Sequence, residues 1–352
     1  MATERNINYD LMRLIGVLII MIAHASPPEW LFQLRNFGTP LLIVGSALTY
    51  ALIYKNRSLD TWKFYRKRLT RLILPAWIFL SFFFFSFYII NTMTGEIYPF
   101  SVRQIIESYL FNRGIGFVWV LKVYIILALI TPFAVRINRS ALSPTNYFYL
   151  LAAGYILYEI SYRASKPYIP EALTDLMKTV VFTIIPYALL YLYGFRLATL
   201  KRKHVVIAAL ASFLIYIGFF VFKYIQTGGP VPTQHYKYPP RLYYLAYAFF
   251  ALNVVYLLCS KIRLEDKCLK AAITWLSSNS LWIYLWHIMA YYIWKPVLPD
   301  PNGDFLLFLL KATFLLGFGV LFTSLQNKLV ALIFTSDNLK KSRIAPLLSG
   351  NA

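Results

Sequence analysis

Negative charge is what this chain lacks: 14 Asp and Glu stand against 35 Lys and Arg in 352 residues. Charged residues of both signs make up only 14% of the chain and 59% is hydrophobic, against about 25% charged in an average soluble domain. That balance excludes a soluble globule and points to a polytopic membrane protein. The net charge of +21 would suit nucleic acid if it formed a patch. Instead the basic residues fall in short stretches between apolar runs, the pattern of topology signals. Cysteine is nearly absent. Cys259 and Cys268 have no metal-type partner nearby and fall on the expected cytoplasmic side, where disulfides are rare, so both read as structural. Also missing are a Gly-rich phosphate loop, a His/Cys/Asp cluster at metal spacing and a Gly-x-Ser-x-Gly nucleophile. No metal and no tightly bound cofactor is therefore expected. Without an internal repeat, a low-complexity tract or a long linker, residues 1–352 read as one transmembrane domain.

What is present is a series of apolar segments at roughly 9–26, 36–54, 72–92, 118–136, 146–163, 177–198, 204–224, 243–260, 273–295 and 305–325. The expected fold is all-α, with about ten transmembrane helices. Lys55, Arg57, Lys63, Arg66, Lys67, Arg68 and Arg71 crowd the second connection, which should be cytoplasmic. Counting onward, Arg136 and Arg139, then Arg196, Lys201, Arg202 and Lys203, then Lys261, Arg263, Lys267 and Lys270 fall on that same side, as do Lys340, Lys341 and Arg343 of the C-terminal tail. Residues 1–8 and 335–352 are then cytoplasmic tails. Ala23-His24-Ala25 has the look of a cleavage site, but Asp10 and Arg13 break the apolar run before it and cleavage would leave an odd number of spans, so the segment is kept. Aromatic residues near segment ends, such as Trp77, Tyr98 and Trp294, suit an interfacial belt. The longest outward loop, 225–242, holds Gly228-Gly229-Pro230, Pro232, His235 and Tyr238-Pro-Pro-Arg241; it is too rich in Pro and Gly to be helical and suits a ligand-facing lip.

Four constellations carry chemistry. Arg13 and His24 lie on the first span. Eleven helical steps bring them to one face, about 16 Å apart along the axis, where a base and an imidazole are costly to keep without a function. The plainer alternative is that Arg13 snorkels and His24 ends the helix. Arg68 and Arg71, three apart at the head of the third span, project together and can clamp a phosphate, though basic residues are commonplace there. Pro75 follows and would kink the helix or ease its start. His287, within Ser277-Ser-Asn-Ser280-Leu-Trp282-Ile-Tyr284-Leu-Trp286-His287, sits at about the depth of His24. Trp119 and Lys122 are one turn apart in the fourth span, and Glu159 is the carboxylate well inside an apolar stretch. Glu159 could orient His24, pair with Lys122, or form a structural ion pair. His24-x4-Glu29 approaches the His-x4-Asp of glycerolipid acyltransferases, but Pro27-Pro28 interrupts it.

Tyr9-Asp10-Leu-Met-Arg13, ten further residues and His24, then Arg68-x-x-Arg71, Trp119-Val-Leu, Tyr238-Pro-Pro-Arg241-Leu-Tyr-Tyr and Ser280-Leu-Trp-Ile-Tyr284-Leu-Trp-His287 together resemble the acyltransferase 3 family, integral membrane enzymes that acylate sugars of bacterial surface glycans. The resemblance covers nearly the whole chain. It implies ten helices in the bacterial inner membrane, acetyl-coenzyme A or another acyl-coenzyme A as cytoplasmic donor, and a hydroxyl of a cell-surface or lipid-linked polysaccharide as acceptor. It implies His24 as catalytic and Arg13, Arg68 and Arg71 as coenzyme A ligands; Glu159 is a second catalytic candidate from its place in an apolar stretch alone. Trp119, Lys122, Tyr238, Arg241 and His287 are the acceptor-side candidates. The chain ends soon after its last span, so the extra hydrolase-like domain of some relatives is not expected, and either the chain acylates its acceptor directly or another protein completes transfer. His24 would serve as general base or as transient acyl carrier. The competing classes are a transporter or flippase of lipid-linked glycan, with the arginines as phosphate track and the histidines as proton relay, and a glycan polymerase.

The charge partition makes one prediction directly. A Cys placed at Gly228 should react with an impermeant thiol reagent added outside the cell, whereas a Cys at Ser58 should not; the opposite labelling reverses the orientation and the donor side with it.

Overall fold

The structure is a computed structural model that describes residues 5–112, 114–139, 142–334 and 345–349. The tail residues Lys340, Lys341 and Arg343 lie outside the described residues. Helices form the whole framework, and no strand occurs among the described residues. In chain order they are α1 (Ile7–His24), α2 (Glu29–Leu34), α3 (Gly38–Ile53), α4 (Thr61–Thr94), α5 (Val102–Tyr109), α6 (Trp119–Asn138), α7 (Pro144–Ser165), α8 (Glu171–Leu176), α9 (Phe182–Leu197), α10 (Arg202–Thr227), α11 (Leu242–Cys259), α12 (Lys267–Ser278), α13 (Ser280–Val297), α14 (Phe305–Ile333) and α15 (Ala345–Leu348).

All ten apolar segments fall on helices, and seven helical stretches among the described residues are long and apolar enough to cross a membrane. The other three differ for local reasons. Tyr and Glu side chains dilute α7. α9 is only 16 residues long, because a π-helical turn at Met177–Val181 separates it from α8. The ninth segment is divided at Asn279, between α12 and α13. α10 is apolar all round and buries little beyond Val205, Ala209 and Ser212, a surface that suits lipid rather than water.

Two expectations change. The basic stretch before span three is a loop only as far as Asp60: the Asp60 side chain caps Lys63 N–H at 3.1 Å and α4 starts at Thr61, so Lys63 to Arg71 are its first turns. The helix runs on through Pro75. The 225–242 loop is not free of helix either, since a 3₁₀ turn forms at Thr233–Tyr236.

The chain forms two compact units. The first comprises 1–20, 29–59 and 130–273. Within it α3 packs on α9, α7 on α9 and α10 on α11. A Cβ at Gly16 would lie 2.8 Å from Leu42, and one at Gly194 would meet Ala47 Cβ at 2.6 Å and the Val44 backbone at 3.1 Å, so these glycines set how closely the helices approach. The second unit comprises 21–28, 60–129 and 274–352, and so includes the last residues of α1. There α13 packs on α14 and α4. Phe79, Phe83 and Phe87 project one turn apart into a cluster with Phe100 and Tyr292. Trp282 Nε1 donates to Leu347 O at 2.9 Å, tying α15 to α13.

Gly194→Ala should force α9 off α3 against backbone that cannot yield, costing about 1–3 kcal/mol. Gly218→Ala, whose Cβ meets nothing within 4 Å, should be neutral. Thermal midpoints in detergent micelles test this, and equal midpoints refute the close-approach argument.

Candidate active site

His24 is the last residue of α1 and His287 lies in the second turn of α13. In the second unit their rings stack, 9° from parallel with centroids 5.1 Å apart, and His24 Nδ1 stands 2.8 Å from His287 Nε2. The protons can be assigned from the network. His287 Nδ1 faces the Tyr284 carbonyl, an atom that only accepts, so Nδ1 must carry the hydrogen. In the neutral ring Nε2 is then the acceptor, and His24 Nδ1–H donates to it. His24 is left with its lone pair on Nε2, the form a base or nucleophile requires. His287 is fully buried and His24 half-buried, which places the polar pair against protein rather than lipid.

A wall of aromatic groups holds this pair. Phe117 meets His24 edge-on at 4.4 Å and Tyr291 at 4.8 Å. Tyr284 O–H donates to Phe117 O at 2.8 Å and Tyr292 O–H to Ile115 O at 3.2 Å, so α13 grips the 115–117 backbone at two points. Ser108 Oγ accepts from Ile115 N–H at 3.0 Å. The chain passes so close that a Cβ at Gly114, whose φ is +30°, would fall 2.2 Å from that oxygen; only glycine fits. Just past the end of α1, Ser26 adopts φ 57°. The buried Lys311 donates to Ser26 Oγ at 3.3 Å and pairs with Asp300 at 2.5 Å.

The other sequence candidates are placed as follows. Arg68 and Arg71 are half-buried, one turn apart near the start of α4. Lys122 donates to Asn112 Oδ1 at 3.1 Å, beside Trp119 on the first turn of α6. In the first unit, Arg13 Nη1 is 3.9 Å from Asp10, which Arg5 also holds, and its side chain passes where a Cβ at Gly45 would be 2.9 Å away. Glu159 is clamped by Arg163 Nε at 3.0 Å and by Arg241, whose Nε lies 3.1 Å from each carboxylate oxygen. Arg241 also covers the Tyr162 ring at 4.4 Å. Tyr238 is half-exposed. Phe117, Ser26 and Lys311 were not singled out in the sequence, and Asp300 stood out only as an acidic residue of an outward loop. An apolar residue and a distant ion pair carry no spacing signal, although Lys311 inside an apolar run was visible.

A family model described as an acyltransferase domain, acyltransferase 3, matches residues 6–325. The chain belongs to the acyltransferase 3 family. It is therefore a membrane acyltransferase. No curated protein and no solved structure matches it.

The Lys311–Asp300 pair generates an asymmetric prediction. Lys311→Met leaves a half-exposed aspartate that water can serve, whereas Asp300→Ala strands a buried ammonium, at a cost of about 3 kcal/mol or more. Asp300→Ala should be the less stable protein in thermal unfolding; the reverse order would show that Lys311 is not held by this pair.

Proposed function

We propose that this acyltransferase moves an acetyl or other short acyl group from acyl-coenzyme A to a hydroxyl of a cell-surface or lipid-linked glycan, in a bacterial inner membrane with both chain termini cytoplasmic. The observation that carries the reading is the His24–His287–Tyr284 hydrogen-bond series, which supports a His24 ring with a basic Nε2. His24 Nε2 would take the proton of the acceptor hydroxyl as its oxygen attacks the thioester carbonyl. The tetrahedral intermediate would then expel the coenzyme A thiolate, which recovers the proton from the imidazolium. His287, accepting from His24 Nδ1–H, stabilises that cation and holds the ring in register, a positioning role. The same nitrogen could carry the acyl group transiently, and isolation of an acyl-histidine from quenched enzyme separates the two routes.

Arg68 and Arg71, with Arg13, would bind coenzyme A phosphates. Eleven helical steps give a ~16 Å rise between Arg13 and His24, about the reach of an extended pantetheine arm. Trp119, Lys122 and His287 would line the acceptor side. Glu159, held by two guanidiniums, is better suited to fixing Arg241 and the Tyr238-Pro-Pro segment before it than to proton transfer.

Mass spectrometry of surface glycans with and without the protein tests the reaction: loss of one acetyl mass on deletion is expected, and unchanged acylation overturns it. His24→Ala should abolish transfer while leaving donor binding nearly intact, since it removes stabilisation of the transition state only. His287→Gln, whose amide oxygen can still accept from His24, should retain more activity than His287→Ala; equal losses would refute the positioning role. Arg68→Ala and Arg71→Ala should each weaken coenzyme A binding about 10- to 150-fold, the value of a charge-assisted contact at ~1.5–3 kcal/mol. Unchanged donor affinity would leave them as topology signals.

A further inference from the structure

The first unit holds a second polar cluster, apart from its Glu159–Arg241 pair, that the proposed chemistry does not use. Arg35, between α2 and α3, and Lys237, just after the 3₁₀ turn at Thr233–Tyr236, are each 7% exposed. Neither side chain has a hydrogen bond or ion pair among the described residues. Their near surroundings are rings: Arg35 lies over Phe32 at 3.8 Å, and Lys237 Nζ lies 5.4 Å from the Tyr238 ring centroid and 6.0 Å from that of Tyr244. The two segments are fastened together by Asn36 Nδ2, which donates to Thr233 Oγ1 at 2.9 Å, and by Thr233 Oγ1, which donates to Gln33 Oε1 at 3.4 Å. Both cations therefore sit on a built joint and not on a loose surface.

The acids that might neutralise them are committed elsewhere. Glu159 holds Arg163 and Arg241. Glu29 accepts from Gln33 Nε2 at 2.6 Å and acts on Arg35 through space without an ion pair. Around the joint, Arg35 Nε, Asn36 Oδ1 and Gln234 Oε1 are buried with no hydrogen-bond partner among the described residues. Burial, with the nearby Arg35 charge adding to it, pushes the Lys237 ammonium down to about 7. A buried guanidinium with an unused donor, beside an amine that holds its proton only in part near neutrality, is expensive to maintain, and an anion would favour the full charge on both.

We infer that Arg35 and Lys237 form a binding site for an oxyanion of the acceptor, a sugar carboxylate or the phosphate of a lipid-diphosphate carrier. Arg35 would offer its fork to two oxygens and Lys237 a point charge to one, while the unpaired amide oxygens accept hydroxyls of the adjoining sugar. The assignment to the acceptor rests on the glycan acyltransferase reading; the anion site itself does not.

Calorimetric titration of the purified full chain in detergent, without acyl-coenzyme A and at constant ionic strength, separates the two. The probes are inorganic pyrophosphate, glucuronate and, as neutral control, glucose. Wild type should bind an oxyanion saturably and glucose not at all. Lys237→Met and Arg35→Met should each weaken binding at least about 10-fold, and Lys237→Arg should restore most of it. Tighter binding of pyrophosphate supports the carrier as source; tighter binding of glucuronate supports an acidic sugar. The ligand-free thermal midpoint of Lys237→Met should not fall, because the substitution removes a buried unpaired charge. Absence of saturable binding, wild-type affinity in either Met variant, or a lowered midpoint that Lys237→Arg restores would overturn the site. Failure of the glycan mass-shift experiment with anion binding intact would instead overturn only the acyltransfer reading.

Discussion

The hydrogen bond from His24 to His287 is the constraint on which the proposed chemistry depends. A lone imidazole at the end of an apolar helix can take either tautomer and rotate freely, and only one of those states presents a lone pair at a chosen place. Here the assignment is forced in two steps, from the Tyr284 carbonyl to His287 Nδ1 and from His287 Nε2 to His24 Nδ1. The near-parallel rings then limit rotation about the bond. The proton on one histidine fixes the basicity of the other.

Keeping that bond requires that three pieces of chain stay in register: the end of α1, the second turn of α13 and the segment before α6. The structure spends its polar side chains there. Tyr284 and Tyr292 hold the 115–117 backbone, Ser108 takes the Ile115 amide, and Lys311 takes Ser26 two residues past His24. In an apolar surrounding each of these bonds competes with no water, so a modest number suffices to order the site. The break at Asn279 belongs to the same scheme. Its side chain accepts from Asn327 at 2.9 Å and donates to Trp275 O at 2.9 Å, which ends α12 and sets the starting point, and hence the depth, of α13.

Much of this was legible in sequence, and the limits have physical causes. Apolar run length identifies helices well because lipid leaves the backbone no alternative, and every expected segment is helical. Run length cannot see the π-turn ahead of α9 or the division at Asn279, since both depend on tertiary contacts. The basic stretch at 55–71 was read from its charge as a connection that turns helical near Arg68, whereas Asp60 is the N-cap signal that starts the helix at Thr61. His24 and His287 were each legible as costly intramembrane residues; their mutual contact spans 263 positions and no periodicity encodes it. Glu159 stood out as an isolated carboxylate, but its partners Arg163 and Arg241 include one at helical spacing that the sequence already displayed.

The imbalance of charge gives a criterion for separating scaffold from site. With 35 basic residues and 14 acidic ones, most cations have no acid available, and exposed ones need none because water or lipid headgroups serve them. Among the buried or half-buried, the acids are allotted with economy: Asp300 to Lys311, and Glu159 to Arg241 and to the exposed Arg163. These cations are neutralised within the protein, and their removal should be felt as lost stability. Arg13 shares Asp10 with the nearer Arg5 and sits 3.9 Å from it. Arg35 and Lys237 have no such partner among the described residues despite deeper burial. Desolvation makes such an arrangement costly unless an anion completes it, so in a chain this short of acid the buried cations without an internal partner are where the proposed anionic ligand belongs.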